Sequence, residues 1–195
     1  LDNEISMVIH SGDISMRGSK QEVIGFLNWF SKLNFKYKIL IAGNHDFFFE
    51  RPKEEIDEVL SMFPDIIYLN DSGVEIEGFK IWGSPVQPWF YNWAFNRRET
   101  EIKHHWNMIP LDTEILITHG PIYDYLDKNA DGKNTGCIHL LEKVTRLSEL
   151  KLHVCGHIHE AYGRIENDQT TFVNASLLNL RYMMTNEPII VEIKK

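Results

Sequence analysis

Four short apolar runs in this chain end in residues that carry chemistry, and that repetition constrains the fold more than any other feature. Lys151 to Val154 runs into Cys155-Gly156-His157-Ile158-His159. Ile5 to His10 runs into Ser11-Gly12-Asp13, Tyr37 to Ala42 into Gly43-Asn44-His45-Asp46, and Ile115 to Thr118 into His119-Gly120. Runs this short and this apolar read as buried parallel strands. The C-terminal ends of such strands are where open α/β sheets build their sites. Residues two apart on extended backbone point the same way, so His157 and His159 read as a chelating pair or as ligands feeding two adjacent metals.

The intervening segments fit that reading. Ser19 can cap a helix of about four turns whose Val23, Ile24, Phe26, Leu27, Phe30 and Leu33 recur at helical spacing. Pro52 can open a second helix with Ile56, Val59, Leu60 and Phe63 on one face. Strand, helix, strand, helix argues for a parallel sheet with right-handed crossovers. Ile66–Leu69, Val74–Ile76 and Phe79–Trp82 then read as short strands, with Glu77-Gly78 as a tight hairpin turn. Residues 83–98 form a long loop with two prolines and the aromatics Trp89, Phe90, Tyr91, Trp93 and Phe95, and loops of that length are often functional. Short helices are expected over 100–109 and 137–147, a polar loop over 120–135, and late strands near 162–165, 170–173 and 189–193. The β-rich ends suggest two mixed sheets stacked face to face with helices outside.

Composition excludes several classes. The 195 residues suit a single domain over 1–195 with a sizeable core. A net charge of −8 argues against general nucleic-acid binding, which needs a basic face. A small anionic substrate is still compatible, because bound cations invert the local field. No apolar run approaches the roughly 18 residues of a membrane span, so no membrane partner is expected, and a cytoplasmic location is the default. Cys137 and Cys155 read as two reduced, buried thiols. The oligomeric state is left open.

Taken alone, each block has an ordinary structural reading. Gly12-Asp13 and Gly43-Asn44 are common turns, and His119 before Gly120-Pro121 suits a cap. Their occurrence together, each at a strand end, points to a metal site. Asp13 supplies a carboxylate that can bridge, Asn44 a carboxamide oxygen, and His119, His157 and His159 imidazoles suited to zinc, manganese or iron. Two metals about 3.5–4 Å apart clamp a phosphoryl group for in-line attack by hydroxide. His45 is the non-ligand histidine that can donate to a phosphoryl or leaving-group oxygen, with Asp46 or another carboxylate fixing its tautomer.

These residues resemble the calcineurin-like metallophosphoesterases, whose pattern is D-x-H, then G-D, G-N-H-[DE], a lone H, and G-H-x-H. Gly12-Asp13, Gly43-Asn44-His45-Asp46, His119 and Gly156-His157-Ile158-His159 match the last four blocks. The branch of metallophosphoesterase domain-containing proteins of adult-brain and fetal-brain type is closer still. Its similar stretches are IHSGD, KILIAGNHD, IWGSPVQPWFYNWAFN, ILITHGP, HVCGHIHEAYG and TTFVNAS.

The resemblance implies an α/β, four-layer α/β/β/α sandwich. It implies two divalent metal ions, manganese first and iron, zinc or magnesium as alternatives. Asp13 would bridge them, Asn44, His119 and His157 would hold the second metal and His159 the first, with His45 as the catalytic histidine. The implied activity is hydrolysis of a small phosphodiester, plausibly a cyclic nucleotide. The D-x-H block has no counterpart, and its strand is expected before Leu1, inside a longer natural sequence. The rival reading is a catalytically impaired phosphoesterase fold that binds or scaffolds.

Secondary expectations attach to other residues. One or two of Trp89, Phe90 and Trp93 could stack a nucleobase. Arg97 and Arg98 are expected to be solvated, with a phosphate contact as the alternative. His10 is expected in a hydrogen-bonded structural role, His104 and His105 on an exposed helix face, and His139 and His153 as structural residues. Asn174 and Ser176 are expected to lie behind the site.

Overall fold

The computed structural model describes residues 6–194. The first half alternates β1 (Met7–His10), α1 (Lys20–Phe30), β2 (Tyr37–Leu40), α2 (Lys53–Leu60) and β3 (Ile66–Tyr68). A hairpin of β4 (Ser72–Ile76) and β5 (Phe79–Ser84) follows. Glu77 and Gly78 turn it with φ of 49° and 81°, the paired left-handed conformation that tight hairpins favour. Two short strands, β6 (Gln87–Pro88) and β7 (Asn96–Arg97), tie the ends of the aromatic loop together. After them come α3 (Glu99–Met108), β8 (Ile115–Thr118), α4 (Ile138–Val144), β9 (Leu152–Cys155), β10 (Gly163–Glu166) and β11 (Thr171–Asn174).

The strands form two main sheets. One has the order β1-β2-β3 and is parallel throughout. The other has the order β10-β11-β9-β8-β5-β4, parallel at its centre and antiparallel at both edges. Three apolar clusters glue four layers together. Val23, Leu27 and Phe30 of α1 and Val59 of α2 pack on Leu40 and Ala42. Ile39 and Ile41 point the other way and meet Ile81, Ile115, Ile117 and Val154 between the sheets. Leu116 faces outward onto Ile102 and Trp106 of α3 and Leu140 of α4. Strict alternation along β2 and β8 thus feeds two cores at once, which is why these strands are apolar at nearly every position.

Local chemistry sets the ends of α1. The Ser19 side chain accepts from the Glu22 backbone N–H, and Glu22 reaches back to the Ser19 N–H, a reciprocal cap. The helix stops at Phe30, short of the expected reach to Leu33, because Lys32 and Leu33 donate three residues back rather than four. The expected strand over 189–193 is absent among the described residues. Ile189, Val191 and Ile193 do alternate onto the inter-sheet core. Period-two burial reports packing, and here it occurs with no ladder partner. Ile5 and any strand ahead of Leu1 lie outside the described residues.

His153 sits fully buried on β9, its Nε2 2.8 Å from the Thr118 hydroxyl oxygen. Burial pushes the imidazole down to about 3 from its usual 6.5. The folded protein therefore keeps it neutral while the unfolded chain takes up a proton below pH 6.5. Stability from this residue is fully present above pH 6.5 and is lost progressively as the pH falls towards 3. The expected result is that His153→Gln loses about 2 kcal/mol less than the parent between pH 7 and pH 5. Urea midpoints at the two pH values check this, and parallel losses would rule it out.

Candidate metal centre

Four strand ends converge at one edge of the sandwich. Asp13 follows β1, the 43–46 turn follows β2, His119 follows β8 and the 156–159 turn follows β9. The ladders continue into these turns, since Ile41 N donates to His10 O and Gly156 N to His119 O. Asp13 and His157 hold φ of 58° and 67°, left-handed conformations that turn both side chains off their strands.

Asp13, His119 and His157 place ligand atoms within 4.8 Å of one another. His119 Nδ1 lies 2.8 Å from the Ser11 carbonyl oxygen, which only accepts, so Nδ1 carries the hydrogen. Its Nε2 then faces two more oxygens, Asn44 Oδ1 at 2.9 Å and Asp13 Oδ2 at 3.3 Å. A bare lone pair against a carboxylate is repulsive. A cation on that nitrogen, whether a proton or a metal, reconciles them. The electrostatics agree: burial opposes a charged His119, but the Asp13 carboxylate outweighs it and raises the imidazole above its usual range. Asp13 is lowered despite burial by His119 and by the His45 backbone N–H, which donates to Oδ1 at 2.9 Å. His157 is pushed down to about 3, by burial first and then by His119, so the ring is neutral and one nitrogen has a lone pair free to ligate. The donor set suits a divalent cation.

His159 stands apart from that cluster of three. Its Nδ1 donates to the Asn179 carbonyl oxygen at 3.1 Å, which leaves the Nε2 lone pair free. Asn174 braces the turn between the two histidines. Its Nδ2 donates to Ile158 O at 2.9 Å and Leu126 O at 3.2 Å, and its Oδ1 accepts from Ser176 N. The Ser176 hydroxyl, by contrast, is buried with no hydrogen-bond partner among the described residues.

Asp46 does not orient His45, which corrects the sequence expectation. Instead it is fully buried and accepts from Gly43 N, Ile14 N, Ser15 N and the Ser15 hydroxyl, knitting the first two turns together. Burial and the charge of Asp13 push its carboxyl up to about 6, against the pull of these bonds. His45 Nδ1 donates to the Met16 carbonyl oxygen at 3.0 Å. Three of the site histidines thus take their tautomer from backbone carbonyls, which have no sequence signature. Asp46→Ala is expected to leave buried donors stranded and to cost about 3 kcal/mol or more. A denaturant titration measures this, and a loss under about 1 kcal/mol would contradict the bracing role.

The aromatic loop divides. Trp93 lies 4.4 Å from the His45 ring and Phe90 5.1 Å from the His157 ring, measured between centroids. Trp89 lies beneath the Arg98 guanidinium at 4.7 Å. Arg97 pairs with Glu50 at 3.3 Å instead of being simply solvated. Tyr182 approaches both His45 and His159, at 6.2 and 5.7 Å, a neighbour that nothing in its sequence context signals. His10 makes no hydrogen bond through Nδ1, which is buried and unpartnered, contrary to expectation, and its ring packs edge-on to Phe26. His105 is not exposed either, because it reaches back to Asp71 at 2.7 Å. His139 lies between Glu99 and Glu142. Both thiols are free and buried.

A calcineurin-like phosphoesterase family model matches residues 1–161. The chain belongs to the calcineurin-like phosphoesterase family, whose members generally use divalent metals. Among its relatives is metallophosphoesterase domain-containing protein 1 of Homo sapiens and Mus musculus. It is 39% identical over 209 residues, covering 96% of this chain and 64% of the relative. A UPF0046 protein of Caenorhabditis elegans is 36% identical over 203 residues, covering 96% of this chain and 72% of that protein. The chain thus spans somewhat under two thirds of the human and mouse proteins. The fold matches the crystal structure of TT1561 of Thermus thermophilus with a TM-score of 0.61 at 12% identity, over 88% of this chain and 76% of that one. No helix among the described residues is long and apolar enough to cross a membrane.

Proposed function

We propose that this chain hydrolyses small phosphodiesters at a divalent-metal site. The observation that carries the reading is the grouping of Asp13, His119 and His157 ligand atoms within 4.8 Å of one another, with Asn44 Oδ1 2.9 Å from His119 Nε2. Those four would hold one metal, and Asp13 with His159 would contribute to a second. Bound metals supply Lewis acidity towards the phosphoryl oxygens and a nucleophilic water at neutral pH. Manganese is the first candidate on the family resemblance, and the mixed oxygen and imidazole donors are equally compatible with iron or zinc.

The chain's own groups do the rest. His45 keeps Nδ1–H engaged with Met16 O, and its imidazolium form, with both ring nitrogens protonated, would donate the Nε2 proton to the leaving oxygen. Asp46 holds the two turns at fixed distance. Phe90 and Trp93 flank the site and offer faces for a planar arm, which makes a cyclic nucleotide the first natural diester to try. A cytoplasmic site of action fits the reduced thiols.

The test is hydrolysis of bis-p-nitrophenyl phosphate with added Mn²⁺, alongside elemental analysis of the loaded protein. Bound manganese with turnover that is lost in Asp13→Ala supports the reading. Turnover that survives Asp13→Ala overturns it. Absence of both metal and turnover would move the assignment to a binding module.

A further inference from the structure

A phosphodiester carries two arms, and the aromatic loop accounts for only one. On another side of the site a cavity of about 340 Å³ opens beside His159, lined by Glu160, Asn179, Leu180, Arg181 and Met183. That is the lower range of small-molecule clefts and is ample for a short substituent. Its wall is one tight turn. Tyr182 N donates to Asn179 O and Asn179 N to Met183 O, while Asn179 Oδ1 accepts from Arg181 N and Met183 N. The same Asn179 carbonyl oxygen accepts from His159 Nδ1, so the turn is fixed to a candidate metal ligand.

Arg181 makes no ion pair among the described residues, although Glu160 lines the same cavity. The Glu160 carboxylate is engaged elsewhere, accepting from Ala130 N at 2.7 Å. An unpaired guanidinium beside a site for a phosphate ester is a ready partner for a second anion. We infer that Arg181 is a specificity-determining residue that, among linear diesters, favours those whose second arm ends in an anionic group, a carboxylate or a phosphate. This rests on the phosphodiesterase reading above. Leu180 and Met183, 59% and 50% exposed, offer apolar surface to the stem of that arm.

The experiment uses three p-nitrophenyl phosphodiesters with the same leaving group. Their second arms are choline, n-propyl and 2-carboxyethyl, which are cationic, neutral and anionic. The wild type is expected to prefer the anionic over the neutral arm by about tenfold in kcat/KM, carried by KM, as a charge-assisted hydrogen bond allows. Arg181→Ala should erase that ratio, Arg181→Lys should keep part of it, and Arg181→Glu should favour the cationic arm. The same ratio in wild type and Arg181→Ala overturns the inference while leaving the hydrolase intact. A wild type inert on all three diesters overturns the hydrolase reading and this inference with it. A phosphorylated arm in place of 2-carboxyethyl then distinguishes the two anions.

Discussion

Gly43→Ala is expected to cost about ten- to a hundredfold in Mn²⁺ affinity while leaving the chain folded. A Cβ at Gly43 would lie 2.6 Å from His119 Cε1 and closer still to Asp13 Oδ1 and Asp13 N. Real Cβ atoms do not approach that near, so the Asp13 backbone and both side chains must give way. Neither has room: the backbone N–H of His45 holds Asp13 Oδ1, and the Ser11 carbonyl holds His119 Nδ1. The strain falls on the atoms that would coordinate, and shifts of a fraction of an ångström disrupt a close-packed polar cluster. Titration calorimetry with Mn²⁺, alongside circular dichroism to show folding, measures it. Affinity within about threefold of the parent would mean that the cluster is not where the metal binds.

His45→Ala separates chemistry from metal binding. Under the proposed mechanism kcat falls by about 10²–10⁴, the range for removing a general acid. Metal content should hold. The part of His45 that supports Asp13 is its backbone N–H, and the substitution keeps that donor. The ring is outside the group formed by Asp13, His119 and His157. A fall in kcat of less than about tenfold would remove His45 from the reaction, and lost metal would make it a structural residue instead. Loss of the Trp93 contact at 4.4 Å is the side effect to watch, and a Trp93→Phe variant controls for it.

The strand ends were legible in the sequence because their signals are local. An apolar run, a glycine and a polar ligand within a few residues specify a buried strand and its exit, and Asp13, Asn44, His119 and His157 meet accordingly. The Ser19 cap and the Glu77-Gly78 hairpin are local in the same way. What escaped depends on partners distant in the chain. Asp46 finds Ile14 and Ser15 about thirty residues upstream, and His105 finds Asp71. Tyr182 reaches His45 across most of the sequence. Proximity in the chain made Asp46 look like the partner of His45, but a turn sends adjacent side chains in different directions. The alternation over 189–193 misled for another reason, since burial every second residue does not require a hydrogen-bonded neighbour.

The carbonyl oxygens of Ser11 and Met16, which set the tautomers of His119 and His45, belong to the backbone. Every amino acid offers that oxygen. The Met16 side chain points into solvent, 53% exposed, and is free to vary. Substitution scanning will therefore rank position 16 as tolerant even though its carbonyl is essential to the arrangement. Sequence drift can rewrite the residue without disturbing the imidazole it controls. Only a change in chain path, such as an insertion or deletion between positions 13 and 19, would reach it.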